Sequence, residues 1–196
     1  MAWGFAPQTT ALGRELDLPT LMSELLARIV DLCRFRGGPQ DLPHKPGLLL
    51  GVLVASVLLD LTTANLLDIG DSALARSLFS TSLLLALCWI ALGIRGFLNR
   101  YVQTATALVA CSMVFSILIV PLAWLFGTPA AAAAALSPQQ TLIAWLGLGV
   151  LVWKIAVDAH NVRQAIEAPF WLGFLLALAW AVADFAFSRI LFSAGA

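Results

Sequence analysis

Five stretches of this chain are apolar over the length a helix needs to cross a lipid bilayer, and that limits the fold more than any other feature. Crossing roughly 30 Å of hydrocarbon takes ~20 residues at about 1.5 Å of rise each, and every backbone N–H and C=O in it must be bonded inside the helix. The stretches cover about residues 48–67, 77–94, 104–126, 140–156 and 169–192. Composition agrees, with 61% of the 196 residues hydrophobic and 11% charged, against roughly a quarter charged in an average soluble domain. A mean hydropathy of +0.92 excludes a water-soluble globule, a disordered chain, a basic nucleic-acid-binding domain and a disulfide-stapled secreted module. The expected fold is all-α: an integral membrane bundle of five transmembrane helices (residues 47–196) preceded by a cytoplasmic amphipathic helix in an N-terminal segment (residues 1–46).

The net charge is zero, so the distribution of charge along the chain is what informs. Positive residues near helix ends are retained on the cytoplasmic side. Arg14, Arg28, Arg34, Arg36 and Lys45 precede the first span, Arg95 and Arg100 join the second to the third, and Lys154 and Arg163 join the fourth to the fifth. Only Arg76 and Arg189 fall on the opposite side. The expected topology is a multi-pass protein of the bacterial inner membrane with a cytoplasmic N-terminus and a periplasmic C-terminus. The first 20 residues show no charged region followed by an apolar one, so the first span is expected to serve as its own insertion signal.

Residues 19–35 carry Leu21, Met22, Leu25, Leu26, Ile29, Val30 and Cys33 at helical spacing, with Glu24, Arg28, Asp31 and Arg34 opposite. The pattern predicts an amphipathic helix that stops at Gly37-Gly38-Pro39 and lies along the headgroups or docks under the bundle. Pro43 and Pro46 make the segment after it an extended connector. Cys33, Cys88 and Cys111 are expected as free thiols, with no metal cluster and no structural disulfide. Trp89, Trp124, Trp145, Trp153 and Trp171 fall near predicted interfaces and read as belt residues, whereas Trp180 falls mid-span. Pro121 should kink the third span, and Gly147 and Gly149 permit close packing of the fourth. The run Ala130 to Ala135 reads as an exoplasmic loop without a binding role.

Charges inside a span cost several kcal/mol and mark functional candidates with a partner to be named. Asp60 and Asp184, with Arg189, form the candidate intramembrane polar site. The two carboxyl groups should sit at similar depth, where they can share a proton or bind a cation; alternatively Asp184 pairs with Arg189, and Asp60 with Thr62 and Asn65. Lys154 and Asp158 are four residues apart, so the lysine is expected to reach the interface and pair with the aspartate. His44 and His160 stand far apart in sequence and make a poor metal site. The serines in the spans have no base beside them in sequence, and no phosphate-binding glycine loop or zinc-binding helix is present. No catalytic set and no cofactor are therefore expected.

The layout of a polar N-terminal segment and five closely spaced helices, together with the stretch from Phe97-Leu98-Asn99-Arg100 through Trp153 to the last helix, resembles the Yip (Ypt-interacting protein) family of polytopic membrane proteins. The connector Arg36-Gly37-Gly38-Pro39-Gln40-Asp41-Leu42-Pro43 is similar to one in proteobacterial inner-membrane relatives. The resemblance covers about residues 40–192. In eukaryotic members it implies trafficking partners and membrane shaping, and it transfers no catalytic residue. Two functions are expected. The first is a non-enzymatic scaffold or assembly partner for membrane proteins or lipids, with Arg34, Arg36, Asp41, Arg95, Arg100 and Arg163 as its cytoplasmic face and a membrane-protein partner or a second copy of the chain bound to it. The second is a small ion- or proton-coupled transporter using Asp60 and Asp184. In either case the bilayer is the surrounding phase and nucleic acid is not a partner. Reporter fusions check the topology: an exported phosphatase should be active when fused to the C-terminus and inactive at the N-terminus, and the reverse result overturns the orientation.

Overall fold

The computed structural model describes residues 18–67, 72–127 and 137–192. They form six helices: α1 (Leu18–Cys33), α2 (Pro46–Leu66), α3 (Ala73–Arg95), α4 (Tyr101–Phe126), α5 (Pro138–Ala165) and α6 (Phe170–Phe192). Short 3-10 turns at Pro39–Asp41 and Leu98–Arg100 sit in the connections before α2 and α4. There is no strand among the described residues. Helices α2 to α6 are each long and apolar enough to cross a membrane. They run alternately up and down, α4 packing against α2, α3 and α5, and α5 against α4 and α6. Helix α1 and its connector pack against α4 and α5, at the end where α3 and α5 finish and α2, α4 and α6 begin. The run Ala130 to Ala135 lies outside the described residues.

Local chemistry sets the helix ends. Pro46 and Pro138 open α2 and α5 in their first turns, where a missing N–H costs no helical bond. At α5 the Ser137 hydroxyl accepts from the Gln140 amide at 3.2 Å, and the Gln140 side chain accepts from the Ser137 amide at 3.0 Å, a reciprocal cap. Helix α3 stops at Gly96, whose φ of 75° is left-handed, and Phe97 N then donates back to Leu92 O at 2.8 Å.

Two other helices stop the same way without glycine. After α1, Phe35 takes φ 61° and Arg36 N donates to Asp31 O at 2.9 Å; after α5, Glu167 takes φ 51° and Ala168 N donates to Arg163 O at 3.0 Å. Both are Schellman endings. Each carries the steric cost of a side chain in left-handed backbone, about 1 kcal/mol or more. Helix α1 therefore ends before the Gly37-Gly38-Pro39 break expected to stop it.

The largest departure from the sequence expectation is the fourth span. Apolar content alone ends it near residue 156, yet α5 runs unbroken to Ala165. The residues beyond 156 include Asp158, His160, Asn161 and Arg163, none of which breaks a helix, and neighbouring elements cover most of them. Lys154 and Asp158 consequently stand inside the helix, and Asp158 is only 8% exposed.

Helix α1 also divides its apolar residues differently from the single face expected. Ile29, Leu32 and Cys33 are buried against the bundle, while Met22, Leu26 and Val30 form an exposed stripe four residues apart. Trp89, Trp124, Trp145 and Trp171 are exposed on the outer surface of the bundle and Trp180 is buried inside it.

Packing is tightest toward the connector end. Helix α4 is buried without interruption from Thr104 to Cys111, and α5 from Val157 to Val162. Helices α5 and α6 approach closely there, because a Cβ on Gly173 would stand 2.5 Å from Ala159 O and 2.8 Å from Arg163 Cβ. The glycines expected to provide close packing, Gly147 and Gly149, face open space instead. Gly173→Ala is expected to destabilise the bundle by about 1–3 kcal/mol, seen as a lower unfolding midpoint in detergent. Gly147→Ala should change it by less than about 0.5 kcal/mol.

Candidate functional site

Two polar layers occupy the interior. The first lies at the connector end and is built from side chains that donate to backbone carbonyls outside any helical ladder. Trp153 Nε1 donates to Cys33 O at 3.1 Å, and Gln103 Nε2 to Leu42 O at 2.7 Å. His160 Nε2 lies 3.0 Å from Gly37 O; a carbonyl can only accept, so Nε2 carries the proton and Nδ1 accepts, from Arg163 NH2 at 3.4 Å. The edge of the Phe35 ring meets His160 at 5.5 Å between centroids.

The connector is held by its own turn as well. Asp41 Oδ2 accepts from Gly38 N at 2.8 Å, and Arg28 donates to the Asp41 carbonyl. Asn161, with no exposed surface, donates to Cys111 Sγ at 3.6 Å. Cys111 and Cys33 share a core cluster with Leu32, Leu42, Phe115 and Val157. A side-chain hydrogen bond with the Cys111 thiol holds the Cys33 pKa below the usual thiol value, opposed by burial and by the Asp158 carboxylate. All three cysteines are buried free thiols.

The arginines singled out from sequence separate into distinct roles. Arg95 donates to Ile166 O through Nε at 3.4 Å and NH2 at 3.3 Å, and Arg100 to Ala165 O at 3.5 Å. Both thus supply donors to the unladdered carbonyls at the end of α5, and Arg100 also pairs with Glu167 at 2.7 Å. Arg163 lies over the Phe170 ring at 5.6 Å. Asp41 holds the connector turn. Arg34 and Arg36 are exposed.

The second layer surrounds a partly open cavity of about 790 Å³ lined by α2 to α6. Asp60 and Asp184, each the fifteenth residue of its helix, both line it, as do Arg76, Lys154 and Asp158. On α4 the lining extends from Val109 to Ile119, about 15 Å of helical rise. Asp60 Oδ2 accepts from the Ser77 hydroxyl at 2.6 Å, linking α2 to α3; this, and neither Thr62 nor Asn65, is the partner the structure gives it. Arg189 lies over the Phe185 ring at 5.8 Å. Lys154 Nζ pairs with Asp158 Oδ2 at 2.6 Å. The second oxygen of Asp158 and Oδ1 of Asp184 are buried with no hydrogen-bond partner.

No protein-family model, curated protein or solved structure matches this chain. The site is therefore read from its own geometry. Among the described residues no group of three or more His, Cys, Asp and Glu side chains stands close enough to hold a metal ion. What the cavity offers is three carboxylates, six hydroxyls, one lysine and one arginine in a largely apolar lining.

Sequence reasoning found Asp60 and Asp184 through their depth in the spans. It missed that Lys154 and Asp158 face the same space, although the four-residue spacing already paired them. Arg95→Ala should destabilise the bundle by about 1 kcal/mol, the worth of its lost hydrogen bonds. Exposed Arg34→Ala should change stability by less than about 0.5 kcal/mol. Thermal unfolding of both variants in detergent checks the difference, and equal effects would remove the capping role.

Proposed function

We propose that the chain is a small ion- or proton-coupled carrier of non-enzymatic type, with its solute site in the cavity between α2 and α6 and with Asp60 and Asp184 as the coupling groups. The supporting observation is that two carboxylates from separate spans, at equal distance along their helices, line one cavity. Carboxylates held in a bundle interior serve elsewhere as proton and cation relays because hydrocarbon makes them costly to keep without use. The Lys154–Asp158 pair extends the charged lining toward the connector end. Five helices leave little width for a pathway, so a second copy of the chain is the natural companion. We place the carrier in the bacterial inner membrane with its N-terminus cytoplasmic, on the asymmetry of Lys and Arg.

The scaffold reading keeps one specific observation in its favour. The Met22, Leu26 and Val30 stripe of α1 is exposed beside Arg34 and Arg36, a surface suited to lipid or to a membrane-protein partner of the kind the Yip resemblance implies. Arg95 and Arg100 are poor reporters of such a partner because they cap α5. Charge reversal at Arg34 and Arg36 is the appropriate probe.

Proteoliposomes loaded with a pH-sensitive dye separate the two readings. A carrier should couple solute addition to proton movement, and Asp60→Asn and Asp184→Asn should each lower that flux by ~10-fold or more, about 1.4 kcal/mol of lost interaction per tenfold, while the protein stays folded by circular dichroism. Flux unchanged in both variants would remove the carrier reading and leave the scaffold one.

A further inference from the structure

The lining of the cavity narrows the chemistry of what enters it, an inference that rests on the cavity being a solute site. Most of the wall is apolar, including Leu84, Leu87, Met113 and Leu151, and it includes the indole of Trp180, a residue only 8% exposed. Such a wall holds a ligand's body by removing it from water, and an indole face attracts positive charge.

Against this apolar wall stand acceptors that the fold leaves unused. Asp158 is buried, 8% exposed as a residue, with one oxygen on Lys154 and the other without a partner; Asp184 is half-buried, and its Oδ1 is likewise covered and without a partner. An ionised carboxylate can only accept, so a covered oxygen without a partner, on a residue that lines the cavity, favours a donor or a positive charge nearby. Three carboxylates, Asp60, Asp158 and Asp184, line the space against the cations Lys154 and Arg76.

We infer that the cavity takes a lipophilic organic cation, a single positive charge carried on an apolar or aromatic body, with the charge drawn to the carboxylates Asp158 and Asp184 of the lining and the body against Trp180. An organic anion would bring further acceptors to oxygens that already lack donors. A bare metal ion is best held by several charged or imidazole ligands together, and no group of three His, Cys, Asp or Glu side chains occurs among the described residues. A strongly hydrated polar solute would lose its water against an apolar wall.

The test is equilibrium binding to the full chain in phosphatidylcholine nanodiscs, with tetraphenylphosphonium as probe and the isosteric anion tetraphenylborate as its control. Saturable binding of the cation and none of the anion is expected. Asp184→Asn and Asp158→Asn should each weaken cation binding by about tenfold or more, and Trp180→Leu by a smaller factor. Asp184→Glu should retain binding, which separates loss of charge from loss of fold. Trp145→Leu, on the outer surface, should bind as the parent does.

Tetraphenylborate binding as tight as the cation, or cation binding unchanged in both Asn variants, overturns the assignment. If tetraphenylphosphonium does not bind while the dye-loaded vesicles still show flux sensitive to Asp184→Asn, the carrier stands and the cation assignment falls. If it binds with the expected variant pattern and no flux is found, the cation site stands and the carrier falls.

Discussion

A backbone carbonyl that leaves the helical ladder and is covered by neighbouring protein needs another donor, and the connector end of this bundle is organised around that need. Cys33, Gly37, Leu42, Ala165 and Ile166 all present such carbonyls. Trp153, His160, Gln103, Arg100 and Arg95 supply the donors, each from a different part of the chain than its acceptor. The indole, imidazole and amide bonds fasten the N-terminal segment to the spans, and the arginine bonds tie the loop between α3 and α4 to the turn between α5 and α6. Removing one donor leaves a buried acceptor unmet, which costs more than the bond itself contributed.

This dependence explains why the two non-glycine left-handed residues are tolerated. Phe35 sets its ring edge against His160, and Glu167 reaches Arg100. Glycine at either place would relax the backbone and forfeit a contact that aligns the neighbouring donor. Local strain and long-range fastening are thus carried by the same residues.

What the sequence made legible follows from which forces act locally. Span number and most boundaries were readable because apolar length is a property of consecutive residues, and Pro46, Pro138 and Gly96 mark ends by their own stereochemistry. The true length of α5 was not, because the polar residues past 156 are accommodated by α1, the connector and α4, which lie far away in the chain. The role of Gly173 was hidden for the same reason: a glycine early in a span looks like any other until the helix facing it is known. Asp60 and Asp184 stood out by the cost of charge in lipid, whereas Asp158 was read as an interface residue. Five arginines and Asp41 attracted attention as a recognition surface, and four of these six residues are engaged within the fold: Arg95, Arg100 and Arg163 around α5, and Asp41 in the connector turn.

The uneven burial along α4 and α5 has a mechanical consequence. Interlocked backbone and donor bonds hold the half of the bundle nearest the connector, and among the described residues fewer side chains are buried in the far half, where Asp60, Arg76 and Ser188 line the hollow. Resistance to a change of helix spacing is therefore graded along the spans: within the described residues it is greatest beside α1, where each helix meets covered neighbours, and it declines with distance from that end.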